Sequence, residues 1–498
     1  MSGSASICLV LAHSTLDECL RALRPWRDRV DIAELRVDHL LPEEAAAAAR
    51  FPGLTGLPAI LTVRRTVDGG RYAGPETDRA ALLTRLLAGG FTYVDLEEDL
   101  QAPGVDRAAR AAGTRIVRSL HDTRGVPAGL AARVRSMARG PDEIVKAAVT
   151  PRSARELAEV LDACEPRGSS LRVVLGMGDI GFATRVLAGR LGSAWCYASP
   201  TEEAVAPGHV TPRTLEETYR FRSVGPSTAL YGVVGNPVMH SKSPWIHNRA
   251  FDETGLDAVY VPLQVPDIDS LWGIADRLEV RGLSVTVPHK KAVLGSHVRP
   301  DESVRAVGAC NTLVRASGQG AWTGLNTDVP GFLAPLSAAL GGSIPAGLRA
   351  TVIGAGGAAR SVVYGLRGAG AKVLVLNRTP EAGRTLTTDL GGESAGLDQE
   401  GIRAGEAADL IVQTTSVGMR PHDADDPVPG LRFTGRELVY ELVYAPAQTP
   451  FVRRALAAGC RVVYGRQMLL AQAALQFQAF TGVPYPPALL EELERGFY

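Results

Sequence analysis

The 498-residue chain has room for roughly two to four domains, and its 53 basic and 53 acidic side chains cancel. That balance offers no basic face for nucleic acid and no acidic tail. Six scattered cysteines without C-x-x-C spacing argue for reduced thiols and against zinc ribbons or disulfide frameworks. No apolar run is long enough to span a bilayer, and Ile7–Ala12 is too short for a signal core, so a cytoplasmic location is expected.

Of the basic residues only five are lysines: Lys146, Lys242, Lys290, Lys291 and Lys372. Where arginine serves as the general cation, a retained lysine is a candidate for amine chemistry, because a guanidinium neither forms an imine nor shuttles protons near neutral pH.

In the first half, short apolar runs alternate with helical stretches. Strands are expected at Ile7–Ala12, Val30–Val37, Ala59–Val63, Tyr93–Leu96, Arg115–Leu120, Glu143–Val149, Leu171–Leu175 and Ala194–Tyr197. Helices are expected at Pro42–Arg50, Thr77–Ala88 and Ser153–Ala163, among others. Eight strands alternating with helices indicate an α/β chain that opens with an eight-stranded (β/α) barrel, whose chemistry would sit at the C-terminal strand ends. Polar residues gather at those ends: Glu34, Arg36, Arg64, Glu97, His121 and Lys146. Lys146 is flanked by Ile144, Val145, Ala147 and Ala148, a setting that favours a free amine; the plainer alternative is a rim lysine that snorkels to solvent. His121 could move protons beside it, or be a satisfied core histidine.

These positions fall within a longer pattern: E-L-R-V-D-H (Glu34–His39), T-V-R (Thr62–Arg64), D-G-G-R-Y-x-G (Asp68–Gly74), S-L-H-D (Ser119–Asp122), I-V-K (Ile144–Lys146) and T-R-V-L-A-G (Thr184–Gly189). In order and spacing this resembles the type I 3-dehydroquinate dehydratases. The resemblance implies that Lys146 forms an imine with the substrate ketone and that His121 moves the proton and assists loss of water. Glu34, Arg36, Arg64 and Arg185 would grip hydroxyls and carboxylate, a task suited to arginine forks. Two departures stand out. Asp68 replaces the family's usual histidine-orienting glutamate, and the lid usually read S-A-P-G-Q is V-A-P-G-H here, with Val205 and His209. His209 could replace the glutamine as a donor.

After a Gly/Pro/Ser linker at 223–229, a second pattern opens with Y-G-V-V-G-N-P-V-M-H-S-K-S-P-W-I-H (Tyr231–His247). Strands are expected at Leu230–Gly235, Ala258–Val265, Leu283–Val287 and Asn311–Val314. S-V-T-V-P-H-K (Ser284–Lys290), G-A-C-N-T-L (Gly308–Leu313) and G-L-N-T-D (Gly324–Asp328) each end a strand on polar groups. Together with the opening motif they resemble the shikimate dehydrogenase family. The resemblance makes Lys290 and Asp328 the catalytic pair and assigns substrate binding to Ser241, Ser243, Thr286 and Asn311.

Next, a strand at Ala350–Ile353 meets the glycine turn Gly354–Ala355–Gly356–Gly357–Ala358–Ala359, a helix at Arg360–Gly368 and a second strand at Lys372–Leu376. A glycine turn between strand and helix lets a pyrophosphate sit at the helix N-terminus. The second strand ends in Asn377-Arg378-Thr379, where an NAD enzyme tends to place an acid, so NADP is the expected cofactor. Further strands at Asp409–Gln413, Leu438–Tyr444 and Arg461–Tyr464 complete a Rossmann-like domain. T-S-V-G-M (Thr415–Met419) and Y-E-L-V-Y (Tyr440–Tyr444) resemble the family's nicotinamide-side segments, with Glu441 where an aspartate is usual. G-R-Q-M-L-L-A-Q (Gly465–Gln472) resembles its returning helix, expected at Leu469–Phe480. This adds Thr415, Gly465 and Met468 on the cofactor side, and Tyr444 and Gln472 on the substrate side.

The expected organisation is a dehydratase barrel over 1–222, a substrate-binding domain over 230–335, an NADP domain over 336–466 and C-terminal helices over 467–498. The expected function is a fused pair of steps: dehydration of 3-dehydroquinate, then reduction of 3-dehydroshikimate to shikimate with NADPH. Small molecules are the expected partners, with no nucleic acid, membrane or metal; the oligomeric state is open. Three alternatives stay open: a dehydrogenase carrying an impaired barrel, a quinate dehydrogenase, and a ligand-sensing regulator.

Overall fold

The computed structural model describes residues 5–164, 171–202, 208–315 and 320–496. They form two compact units. One holds the residues up to Val233 with Pro237–Phe251 and Gly255–Val280; the other holds Val234–Asn236, Asp252–Thr254 and the residues from Arg281 onward.

The first unit opens with strands β1 (Ser6–Leu11), β2 (Ile32–Arg36), β3 (Ala59–Thr62), β4 (Tyr93–Glu97), β5 (Arg115–Asp122), β6 (Ile144–Val149), β7 (Arg172–Gly176) and β8 (Trp195–Ala198). They pair in parallel in the order β7-β6-β5-β4-β3-β2-β1-β8. The open edges meet where Ala194 N donates to Arg172 O at 2.7 Å, so the sheet closes toward a barrel. Alternation divides each strand between two cores. On β1, Ile7, Leu9 and Leu11 pack outward, whereas Cys8 and Val10 pack inward with Ile32, Ile60, Val117 and Trp195. All eight expected strands are present within two residues at most ends.

Pro42–Arg50 departs from expectation: it is a 3-10 run, followed by a short α-helix, Phe51–Thr55. Pro52 has no N–H to give Ala48, and Ala48 O accepts from Phe51 instead, which favours the tighter winding. The segment expected as a linker, 223–229, lies within the first unit, where Arg190 donates to Pro226 O and Thr228 O at 3.1 and 2.8 Å.

Strands β9 (Ala229–Gly235), β10 (Ala258–Gln264), β11 (Val280–Val285), β12 (Val298–Pro300), β13 (Thr312–Val314) and β14 (Trp322–Leu325) follow. In the second unit β13 pairs antiparallel with both β11 and β14, and β12 pairs in parallel with β14. The other sheet of this unit comprises β15 (Arg349–Ile353), β16 (Lys372–Leu376), β17 (Glu393–Ala395), β18 (Leu410–Gln413), β19 (Leu438–Glu441) and β20 (Arg461–Val463). Its order is β17-β16-β15-β18-β19-β20, all parallel. The chain steps outward from β15 in both directions, so the C-terminal end of β15 is the switch point at which such sheets bind ligands. Among the described residues no helix is long and apolar enough to cross a membrane.

Candidate active sites

Inside the barrel, alternate strands supply layers of four side chains. One layer is chemically unusual: Glu34 from β2, Asp95 from β4, Lys146 from β6 and Tyr197 from β8. Lys146 Nζ lies 2.9 Å from Asp95 Oδ2, 3.9 Å from Glu34 Oε1 and 4.3 Å from the centre of the Tyr197 ring. The apolar strand suggested a bare amine; the structure instead gives this buried nitrogen a carboxylate partner and an aromatic face. Burial opposes ionisation of Asp95, but Arg64 and Lys146 outweigh it and hold the carboxyl well below its usual range. Arg64 donates from Nη1 to Glu97 at 2.8 Å and to Ser119 Oγ at 3.1 Å, and its Nη2 lies 2.8 Å from Asp95.

Lys146, His121, Asp68, Glu34, Arg36, Arg64, Arg185 and His209 all line one cavity of about 130 Å³. Burial, then the charges of Arg64 and Lys146, lower the pKa of His121 well below its usual value. At neutral pH it is therefore a neutral imidazole able to take a proton. His209 is lowered likewise by burial and by Arg185, Lys146 and Arg36, and its ring lies parallel to that of Tyr197. Gly208 before it has a φ of +79°, and a Cβ there would come within 3.3 Å of Arg185 Nε.

Two assignments sit differently from their sequence rationale. The Asp68 carboxylate accepts from Arg65 Nε at 2.6 Å, while His121 Nδ1 is buried without a hydrogen-bond partner. Arg36 is held in a fork by Asp38, at 2.9 and 2.7 Å. Val205 lies outside the described residues.

Asp95 and Tyr197 were not singled out from sequence. The alternation Tyr93, Asp95, Glu97 on a buried strand was the available signal for Asp95, since two inward acids need an internal cation.

In the second unit, Lys290 Nζ lies 2.5 Å from Asp328 Oδ2. Asn311 Nδ2 donates to the other oxygen of Asp328 at 2.9 Å and reaches Gln472 Oε1 at 3.4 Å. Thr286 lies just beyond β11 and its N–H donates to Val234 O. Ser241 and Ser243 belong to the first unit, where Ser243 N donates to Ser241 Oγ at 3.2 Å.

The helix expected from Arg360 begins at Gly357, so its unpaired N–H groups open directly onto the glycine turn. Gly354 has a φ of +111°, and a Cβ there would come within 2.6 Å of Thr414 Oγ1. At Gly356 a Cβ would meet nothing within 4 Å, leaving space at the helix N-terminus for an anion. Gly357 is tight on the other side: its Cβ would lie 3.1 Å from Lys290 Cβ. Asn377 Nδ2 bonds Thr379 O, which shapes the turn after β16, and Arg378 is exposed on that turn. These residues fit a dinucleotide with an extra phosphate. Thr415 is half-buried beside Gly354, and Ala355 and Ala358 flank the turn. Met468 is buried in the core beneath the sheet, and a Cβ on Gly465 would meet Leu442 O at 2.5 Å.

With two such sites on one chain, the comparison that decides between a fused enzyme and a chance pairing is a relative spanning both. Residues 7–226 match the type I 3-dehydroquinase family and residues 233–313 the shikimate dehydrogenase substrate binding domain. The bifunctional 3-dehydroquinate dehydratase/shikimate dehydrogenase, chloroplastic, of Arabidopsis thaliana is 31% identical over 483 residues, 92% of this chain and 79% of that one. The chain belongs to the bifunctional 3-dehydroquinate dehydratase/shikimate dehydrogenase family. A shikimate dehydrogenase (NADP(+)) of Moorella thermoacetica is 41% identical over 283 residues, covering 54% of this chain and 93% of that relative. A crystal structure of a shikimate dehydrogenase in complex with NADP+ matches with a TM-score of 0.50 at 29% identity, over 54% of this chain and 96% of the other.

Within this bifunctional family member, the expected strand Leu438–Tyr444 ends early, at Glu441. The Glu441 carboxyl accepts from Val443 N at 2.9 Å and from Thr449 Oγ1 at 2.8 Å, which turns the chain and leaves Tyr444 on a loop. Burial raises the Glu441 pKa from 4.5 to about 8. Its stabilising contribution is therefore complete below the unfolded value near 4.5 and is lost as pH rises through about 8. The parent is expected to lose melting temperature relative to Glu441→Gln between about pH 5 and pH 8, with a constant difference above that. Parallel pH trends for the two proteins in thermal melts would remove Glu441 as the source.

Proposed function

We propose that this chain catalyses two consecutive reactions: dehydration of 3-dehydroquinate to 3-dehydroshikimate in the barrel, and NADPH-dependent reduction of 3-dehydroshikimate to shikimate in the second half. In the first, Lys146 Nζ condenses with the ring ketone and releases water. The resulting iminium acidifies the adjacent C–H. His121 takes that proton and returns one to the departing hydroxyl, and hydrolysis frees the lysine. Asp95 and Tyr197 hold the lysine in place, and Arg64, Arg185 and Arg36 supply positive charge for the carboxylate. In the second, bound NADPH supplies hydride. Lys290 and Asp328 hold and deliver the proton at the carbonyl oxygen, Asn311, Gln472, Thr286, Ser241, Ser243 and Tyr444 bind the ring, and Arg378 binds the 2′-phosphate beside Asn377 and Thr379. The division at 222, 229, 335 and 466 and a cytoplasmic location complete the reading.

The observation that supports it best is the inward Lys146 with its carboxylate partner, on one cavity with a neutral His121. One assay tests it: purified protein, NADPH and 3-dehydroquinate as the sole carbon substrate. Consumption of NADPH is expected. Arg378→Ala should raise the KM for NADPH about tenfold, in line with loss of a charged contact of 1–2 kcal/mol, and leave NADH little changed. A second reading, a dehydrogenase on an impaired barrel, is favoured by Asp68 bonding Arg65 while His121 Nδ1 goes unpaired. It predicts NADPH consumption only when 3-dehydroshikimate is added.

A further inference from the structure

Behind the Lys290–Asp328 pair runs a chain of hydrogen bonds whose direction can be worked out link by link. Backbone Thr327 N–H can only donate, and it lies 2.8 Å from Asn311 Oδ1. That fixes the oxygen end of the Asn311 amide and turns its nitrogen toward Asp328 Oδ1, 2.9 Å away. The Thr312 hydroxyl, 2.9 Å from the same Oδ1, must therefore be the donor. Its oxygen is left to accept, and Gln476 Nε2 donates to it at 3.0 Å. The Gln476 amide is fixed independently, because Nε2 also lies 3.0 Å from the Asn311 carbonyl oxygen, which can only accept. Gln476 Oε1 in turn accepts from Ser284 Oγ at 2.7 Å. The polarity runs one way from Ser284 through Gln476, Thr312 and Asn311 to Asp328, whose other oxygen accepts from Lys290. Ser284, Gln476, Thr312, Asn311 and Asp328 are all buried, so no bulk water can reverse a link cheaply.

We propose that Gln476 is a positioning residue for the reductase reaction, resting on the reading of Lys290 and Asp328 given above. It lies one helical turn beyond Gln472 on the helix Gly465–Thr481 and acts through Thr312. By donating to that hydroxyl it leaves the Thr312 proton for Asn311 Oδ1, so that Thr312 joins the Thr327 N–H as a second donor holding the Asn311 amide with its nitrogen on the Asp328 carboxylate. With the amide reversed, an oxygen would face that carboxylate, and the contact would become repulsive. Neither Gln476 nor Thr312 needs to touch substrate for this effect.

Gln476→Glu tests direction rather than packing, because the side chain keeps its shape but an ionised carboxylate only accepts. In the full chain, reduction of 3-dehydroshikimate is followed from pH 6 to pH 9, with dehydration of 3-dehydroquinate by the same molecules as the measure of enzyme concentration and the KM for NADPH as the check that the second unit is folded. The expected result at pH 8 is a loss of roughly tenfold in kcat/KM, one misplaced buried hydrogen bond. It should appear mainly as a higher KM for 3-dehydroshikimate, with the KM for NADPH unchanged. The loss should shrink toward pH 6 as the new carboxyl regains a proton to donate. Should that variant not fold, Thr312→Val breaks the same relay at the next link, and Thr312→Ser should restore it. Parent-like kcat/KM in Gln476→Glu, or a pH-independent loss shared equally by the KM for NADPH, would overturn the proposal. A parent enzyme that does not reduce 3-dehydroshikimate at all would instead overturn the reading of the site itself.

Discussion

Lys146→Arg is expected to abolish dehydration of 3-dehydroquinate, by roughly 10⁴-fold or more, while reduction of 3-dehydroshikimate continues at the parent rate. Arginine preserves the positive charge that Asp95 Oδ2, 2.9 Å from Nζ, and the Tyr197 ring have been arranged around. Fold and electrostatics of the layer should therefore survive, and only the nucleophile is removed. Borohydride treatment during turnover should attach substrate-derived mass to Lys146 in the parent and none in the variant. A variant that still dehydrates at a tenth of the parent rate would mean that no imine at Lys146 is on the reaction path. The reductase half supplies a control within the same polypeptide.

The complementary loss is expected at Lys290 and Asp328. Lys290→Met or Asp328→Asn should each lower reduction of 3-dehydroshikimate by about 10²- to 10⁴-fold, the range for a positioned proton donor or acceptor, with dehydration intact. Because the two groups touch at 2.5 Å, the double variant should be little worse than either single one. Multiplying losses, measured as kcat/KM for 3-dehydroshikimate at saturating NADPH, would show that the two residues act separately.

How much of this the sequence disclosed depended on the range of the interactions involved. The barrel strands were readable because both faces of a closed parallel sheet are buried, which leaves apolar runs such as Ile144–Val149. Short strands gave no such run: Val298–Pro300, Trp322–Leu325 and Glu393–Ala395 have three or four residues each and are held by register with neighbours. The motif residues Lys146, His121, Lys290 and Asp328 could be named from local pattern. Their partners could not. Asp95 lies 51 residues from Lys146, and Gln476 lies 164 from Thr312, so each contact exists only once strands and helices are docked. Asp68 shows the opposite limit: its position in a motif did not disclose that Arg65 would occupy its carboxylate.

The clearance between Gly357 and Lys290 bears on engineering this enzyme. A methyl group at position 357 would press on the stem of Lys290, at 3.1 Å from its Cβ, so under the proposed function the glycine turn offered to the phosphates also backs the lysine proposed to deliver the proton. Attempts to retune nucleotide preference there would disturb catalysis whatever they did for selectivity. Arg378 is exposed on the turn after β16, so its side chain can be varied at the rim. Libraries aimed at a cheaper reductant belong on that turn, with the glycines held fixed.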